Sequence, residues 1–592
     1  MPHASPSALL PRATAFWLAL ALLAVFAYGF GLGGQYIPTN GDEMVYVHIA
    51  RETAETGQWL PLASELAGTR NTKPPLLFWQ AMVAGDWGAR WTLDALRTPS
   101  QLYLLLTTLA IVGCMRRITQ RWHEALLAAV VFLAFFSTFR YGRAYLTSAP
   151  ETFWLGLPLF ALLWQRARQP AARPGWGLHA LFGLGLGLGL AYKSFALIAP
   201  AAAAWWLALV VSEARLDWRV LMRHSLRTGF SAVLALGVFG LWFVLDPDPQ
   251  AVWREFVVAE NAGKFAQGAG WWSVALRPSG TSIWSQLLAY PVNAGLLFFA
   301  VLGLGWQGVR RLPRLGQHLA GMPAHQRILL AWTLVWLLTF MFPSQRSARY
   351  VIPAMPAVAM LLALHWRDIP RAWFVPTLLL SALALLVVGR IAWVVHELDL
   401  SSSLALAAVL GVLALTAAVI LGGLWRAVWT RGAAVLACLL VYLTYSLAVA
   451  PLDGPRGRYD AATIAAAPSG RIAVPNGFNS QFERFQFLLP GDHAFEPYAT
   501  GERALGLRAP GAPAPAPAEE LAALLAAHDG VVWIQSDAAS TAPPCRPGCE
   551  VLGERWMLRG RLPPGDVTLG NLWYPQEWLF RREWLLVRSP SR

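Results

Sequence analysis

Charge is what this sequence has least of. Asp, Glu, Lys and Arg make up 14 % of its 592 residues, where a soluble domain carries about a quarter. A surface so poor in charge cannot all face water, which excludes an ordinary soluble globular protein. Acids are scarcer than bases, 33 against 47, leaving a net charge of +14. A nucleic-acid partner would suit that excess, but the bases lie in short loops between apolar runs, so no such partner is expected. Cysteine numbers only four. Cys114 and Cys438 fall in apolar runs, where a buried thiol is the ordinary state. Cys545 and Cys549 close a Cys-Arg-Pro-Gly-Cys loop suited to a disulfide outside the cytoplasm; a metal pair is the weaker alternative, because no His clusters nearby. No internal repeat and no nucleotide-sugar domain is recognisable.

What fills the chain instead is apolar. Hydrophobic residues reach 56 %, mean hydropathy is +0.45, and there are 30 Trp, as expected where indole rings sit at the headgroup level of a bilayer. Runs of spanning length lie near 15–34, 99–115, 124–139, 151–165, 178–192, 195–212, 228–245, 287–306, 328–342, 350–366, 372–395, 403–425 and 432–450. They predict about thirteen transmembrane helices. Alternate loops are short and arginine-rich, among them Arg116, Arg117 and Arg121, Arg215 to Arg227, and Arg310 to Arg327. The positive-inside rule puts these in the cytoplasm. The opposite loops, 35–98, 140–150, the Lys193 turn, 246–286, 343–349, 396–402 and the tail from 451, then face outward. The first run, with only Arg12 before it and more runs after, reads as an uncleaved anchor.

The division is therefore a membrane domain, 1–450, and an outer domain, 451–592, where Asp, Glu, Asn and Pro return. Val531 to Ile534 reads as a buried strand and Glu519 to Ala527 as a helix after a Pro/Ala linker, giving a small α/β unit. Gly183, Gly185, Gly187 and Gly189 lie inside an apolar run with no strand before them, so close helix packing is expected there rather than a dinucleotide loop.

Ionisable residues nearly vanish from the apolar runs and gather at their outward ends. Transporters usually keep some at mid-membrane; this chain has instead an outer rim of acids and bases. The loop 35–98 opens on Gly41-Asp42-Glu43, continues through His48, Arg51 and Glu52 to Lys73-Pro74-Pro75, and ends in an amphipathic stretch to residue 91. Paired acids beside a span also cap helices. Combined with cations on several other outer loops, they form the inventory for glycosyl transfer from a lipid phosphate. A carboxylate orients or deprotonates the acceptor, and fixed cations neutralise the departing phosphate.

These pieces carry a family resemblance. Gly41-Asp42-Glu43 with Tyr46 and Arg51-Glu52, Lys73-Pro74-Pro75, Arg143 with Thr147 and Pro150, Lys193, Glu260-Asn261 with Lys264-Phe265, and Arg346 with Arg349-Tyr350, Pro353 and Pro356 stand in one order. In that order the chain resembles GT-C glycosyltransferases of the protein O-mannosyltransferase type, and most of all the bacterial 4-amino-4-deoxy-L-arabinose transferases that modify lipid A. The resemblance covers about residues 15–450. It implies a polytopic α-helical GT-C fold with outer amphipathic helices and a bacterial inner-membrane location with a periplasmic active site. It further implies an inverting transferase whose donor is a sugar on undecaprenyl phosphate or a similar carrier.

Residue by residue, it implies Asp42 as catalytic carboxylate with Glu43 beside it, and Lys73 on the carrier phosphate. Arg143, Lys193, Glu260, Asn261, Lys264, Arg346, Arg349 and Tyr350 become candidates for substrate contact. Each has a plainer role beside it. Lys193 can snorkel at a helix end, Arg346 or Arg349 can pair with Glu260, and Glu260 and Asn261 can cap a loop. The chain departs from the family pattern at Val45, at Thr72 before Lys-Pro-Pro, and at Thr147-Ser148-Ala149-Pro150, where Glu151 is the candidate second acid. The Thr72 departure leaves a divalent cation open. The acceptor is expected to be lipid A, lipopolysaccharide or another envelope glycan. A protein hydroxyl is the alternative acceptor, and a lipid or glycan transporter the alternative from another class.

Overall fold

Every apolar run named above falls on a helix, because a backbone in lipid must satisfy its own hydrogen bonds. The computed structural model of the chain describes residues 11–589 apart from 38–40, 65–72, 170–173, 214–216, 263–270, 315–316, 319–320, 344–345, 478–479, 501–515, 536–540, 546–547, 560–561 and 563–564. Helix α1 spans Arg12–Gly29, α2 Gly41–Glu55, α3 Leu76–Ala84 and α4 Leu93–Thr119. They are followed by α5 Trp122–Ala134, α6 Phe136–Arg143, α7 Ser148–Arg168 and α8 Trp176–Tyr192. Seven helices among the described residues are long and apolar enough to cross a bilayer unaided, and the α5–α6 pair, bent by 68°, makes an eighth. The chain is thus a multi-pass membrane protein. The remaining runs lie on shorter or less apolar helices, among them α7, α8 and Ile198–Val211; these are held by neighbours, since interiors in lipid are packed by van der Waals contact.

The glycines of α8 serve that packing. A Cβ on Gly187 would lie 2.5 Å from the Cβ of Val238, and one on Gly183 would lie 2.7 Å from that of Leu234, both on the helix Trp218–Leu245. Only glycine lets these two helices approach so closely.

The bundle has two distinct ends. At one, arginines close loops: Arg166 donates to Ser212 and lies 3.4 Å from Glu213, and Arg227 donates to the carbonyl of Pro174. At the other, α2, α3, the α6–α7 junction, Lys193 and residues 346–350 come together, with the C-terminal domain beside them. The expected amphipathic stretch to residue 91 is shorter than a single helix. It stops at Ala84, and Asp86 and Trp87 take left-handed φ of 51°. Trp87 thereby packs on Trp59, which also meets Trp79 edge-on.

The C-terminal domain is a five-stranded mixed sheet, β1 Arg471–Asn476, β2 Ala494–Ala499, β3 Gly530–Ile534, β4 Cys549–Leu558 and β5 Phe580–Arg588, in the order β2-β1-β3-β5-β4. β1 pairs parallel with β2 and β3, and β5 pairs antiparallel with β3 and β4. The helix Pro517–Ala527 covers one face through Leu521 and Leu525. Val531 and Val532 are fully buried, as a central strand requires. Cys545 and Cys549 form a disulfide at the start of β4.

Candidate active site

Asp42 occupies the first turn of α2, where the positive end of the helix favours a carboxylate. Its Oδ2 receives Nη1 of Arg349 at 2.6 Å, and the side chains of both residues remain about one-third exposed. The Arg349 guanidinium also lies over the Tyr141 ring, 4.7 Å from its centre. Next to it in sequence, Tyr350 turns its ring towards Lys193, whose ammonium sits 5.8 Å from the ring centre. Lys193 in turn reaches Glu151 at 3.2 Å. An acid–base pair from the first loop and another from α7 and the Lys193 turn are therefore linked through the adjacent residues 349 and 350.

Lys73 is half-buried, just before Pro74 and Pro75, at the entry to α3. Pro75 precedes the first helical residue, where its missing N–H costs nothing. Tyr192, at the end of α8, donates to Gln80 of α3 and shares a 2.9 Å hydroxyl contact with Tyr103. This ties the Lys73 segment to the Lys193 turn.

Three candidates take structural places instead. Glu43 is 1 % exposed; its two oxygens accept Nε and Nη2 of Arg97, each at 2.7 Å, and Oε1 also accepts the backbone N–H of Tyr145. A carboxylate so enclosed cannot meet a substrate without leaving Arg97 buried and unpaired, a cost of about 3–5 kcal/mol. Arg97 adds bonds to the carbonyls of Leu32 and Gly34 at 2.6 Å each, so Glu43 pins α2 to α4 and to the end of α1. Arg143 is fully buried on the carbonyls of Tyr28 and Phe30, where it finishes α1 rather than facing the cleft. Arg346 is 3 % exposed and donates to Met341 and Thr281 carbonyls, and desolvation lowers its pKa.

Arg349 pairs with Asp42 where Glu260 was the expected alternative. Glu260 and Asn261 belong to the helical stretch Trp253–Ala262, but their side chains, like the whole of Lys264, lie outside the described residues. Glu151 is 2 % exposed and held by Lys193, so a role as second acid requires Lys193 to move onto substrate.

Asp42, Glu43 and Glu151 each already face a basic side chain. No group of three or more His, Cys, Asp or Glu side chains that could hold a metal occurs among the described residues.

Sequence reasoning missed the element that holds α2 from above. Glu483, fully buried in the turn Gln481–Arg484 of the C-terminal domain, accepts Nε of Arg51 at 2.6 Å and lies 2.8 Å from Nδ1 of His48. Burial works against the Arg51 charge, but Glu483, Glu55 and Glu52 outweigh it and raise the guanidinium above its ordinary value. The next residue, Arg484, bonds Glu583 on β5, which also receives Arg555 and Tyr459. No spacing or motif marks Glu483: it is a lone acid 432 residues from Arg51.

The chain is similar to known proteins in sequence and in fold. Residues 35–249 match the family described as dolichyl-phosphate-mannose-protein mannosyltransferase. An undecaprenyl phosphate-alpha-4-amino-4-deoxy-L-arabinose arabinosyl transferase of Sodalis glossinidius is 26 % identical over 372 residues, 60 % of each chain. One from Edwardsiella ictaluri is 25 % identical over 359 residues, 59 % of this chain and 58 % of its own length. The chain thus matches about three-fifths of the length of these curated relatives. The crystal structure of ArnT from Cupriavidus metallidurans bound to undecaprenyl phosphate is similar at a TM-score of 0.58 and 14 % identity, covering 96 % of this chain and 98 % of that one. Its apo form gives 0.54 at 15 % identity. The structural likeness establishes the fold, and the sequence matches are to the kinds of transferase that the motifs resemble.

Proposed function

We propose that the chain is a glycosyltransferase that moves a sugar from a polyprenyl phosphate, undecaprenyl phosphate in the first instance, onto lipid A or another envelope glycan. The active site and the C-terminal domain face the periplasm, and the arginine-rich end of the bundle faces the cytoplasm. The observation that carries this reading is the Asp42–Arg349 pair, partly exposed at the end of the bundle that also holds Lys193 and Glu151. The named activity of the arabinosyl transferases and the undecaprenyl phosphate in the ArnT crystal support the carrier and make 4-amino-4-deoxy-L-arabinose the first sugar to test.

Chemically, the sugar anomeric carbon bears developing positive charge as its bond to the carrier phosphate breaks. Arg349, with five donors on a planar fork, has hydrogens left for phosphate oxygens beyond the one given to Asp42. Lys73 and Lys193 supply further cations to the departing phosphate. Asp42, once Arg349 turns to the carrier, accepts the proton of a hydroxyl acceptor or orients a phosphate acceptor that needs no base. Attack opposite the leaving phosphate inverts the anomeric configuration. Glu43 holds Asp42 in place through Arg97 and takes no part in the transfer.

The test is transfer of radiolabelled sugar from its polyprenyl phosphate by membranes carrying wild-type protein, Asp42→Asn or Lys73→Ala. Loss of about 10²-fold or more is expected for Asp42→Asn; full transfer by that variant refutes the mechanism. Mass spectrometry of lipid A, envelope glycans and proteins with and without the gene identifies sugar and acceptor. The mannosyltransferase match makes a protein hydroxyl the second acceptor to look for.

A further inference from the structure

Between the sheet and the bundle lies a cavity of about 600 Å³, walled by β4 and β5, by residues 455–463, and by Leu398 to Leu400 at the turn after the helix Val375–Glu397. That volume falls in the range of small-ligand sites, ~300–1,000 Å³. Its polar lining is richest in arginine: Arg456, Arg458, Arg555 and Arg582. Most of these charges have an acid beside them, Glu583 for Arg555 and Glu554 for Arg582. Arg456 meets Asp399 across the gap at 2.5 Å, but both side chains are more than half exposed. Arg458 is exposed, makes no hydrogen bond or ion pair among the described residues, and acts on the Asp453 carboxyl by its charge. Arg555 is 2 % exposed and gives Nε to Glu583 and Nη1 to Tyr36 and Gly457, while its buried Nη2 has no hydrogen-bond partner.

The rest of the wall narrows the chemistry. Guanidinium forks match phosphate or carboxylate oxygens. Trp556 offers an apolar ring, with Arg582 stacked 4.8 Å from its centre, and Glu554 and Asp399 accept hydroxyl donors. An aromatic ring, carboxylates and arginines at one wall suit a sugar that bears an anion. Leu398 and Leu400 place the floor at the head of the helices, where a lipid-anchored glycan would present its sugars. Through Arg555 and Tyr36 the wall is bonded to the segment that leads into Asp42.

We infer that this cavity binds a sugar carrying a phosphate or carboxylate, and that it is the subsite for the acidic saccharide of the acceptor. The binding claim stands on the cavity; its assignment to the acceptor rests on the transferase reading above.

Purified full-length protein is examined by saturation-transfer NMR with glucosamine 1-phosphate, glucosamine and inorganic phosphate as probes. Wild type is expected to saturate the sugar phosphate, and Arg456→Ser/Arg458→Ser to weaken that signal about ten-fold, with Arg458→Lys keeping most of it. These side chains are exposed, so the melting temperature stays unchanged. Equal signals from wild type and the double variant overturn the site. Glucosamine saturating as strongly as its phosphate, or inorganic phosphate displacing it at equal concentration, overturns the ligand class. In the transfer assay the double variant raises the acceptor KM about ten-fold and leaves the donor KM unmoved; an unmoved acceptor KM overturns the assignment to the acceptor. Wild type inactive toward every acceptor sinks the transferase reading alone, and the NMR arm still decides the site.

Discussion

Asp42 and Arg349 lie 307 residues apart in the chain and 2.6 Å apart in space. The contact joins the first turn of α2 to residues 346–350, so the carboxylate and this cation come from opposite halves of the membrane domain. On the proposed mechanism, Arg349→Ala removes a donor that turns from Asp42 to the departing phosphate. Transfer is expected to fall by about 10²–10³-fold, with partial return in Arg349→Lys, which keeps charge but not the planar fork. A lowered melting temperature with unchanged kcat would mean the pair is only a pin.

Glu483 makes the C-terminal domain a clamp on α2. Replacing it with Gln leaves Arg51 and His48 facing a neutral amide at a fully buried position. Arg51 keeps Glu55 and Glu52 but α2 loses its charged tie to the C-terminal domain, so hydrogen exchange across residues 41–55 should quicken while the transmembrane helices stay protected. Transfer should fall through kcat, since α2 carries Asp42. Unchanged exchange in α2 would show the clamp to be idle.

Acid should loosen the same domain. Burial alone would raise the Glu583 carboxyl, but Arg555 and Arg484 outweigh it and hold it below its ordinary value of 4.5. A carboxyl lowered in the folded state adds stability that is present above its unfolded pKa and lost as pH falls through the folded one. Strands β4 and β5 should thus lose exchange protection in the acid range below about 4.5, and Glu583→Gln should flatten that dependence. Equal pH profiles for both proteins would contradict the assignment.

The seam between α8 and the helix Trp218–Leu245 has no room for a side chain at Gly187. Gly187→Leu forces overpacking worth about 1–3 kcal/mol or more, read as a lower melting temperature in detergent. Gly177→Leu on the same helix meets nothing within 4 Å and serves as the control. Equal melting of the two variants would refute the close approach.

The positions of the membrane helices were legible in the amino acids, because lipid accepts only apolar runs long enough to cross and a helical backbone within them. The rim was legible as an inventory. Asp42, Lys73, Glu151, Lys193 and Arg349 stood out because charges are rare beside such runs. Their partners were not. Glu43 looks like a second catalytic acid until Arg97 is seen around it, and Arg143 looks like a substrate ligand until the end of α1 is seen beneath it.

Composition and pattern alone therefore determined a multi-pass bundle, a polar C-terminal domain and the short list of residues able to do chemistry. Only the folded chain decided which acids are held and which are partly open, that Glu483 grips α2, and that arginines line a cavity under the sheet. The physical reason is separation. A helix or a strand writes its period into neighbouring residues, whereas an ion pair between residues 42 and 349, or 51 and 483, leaves no period to read.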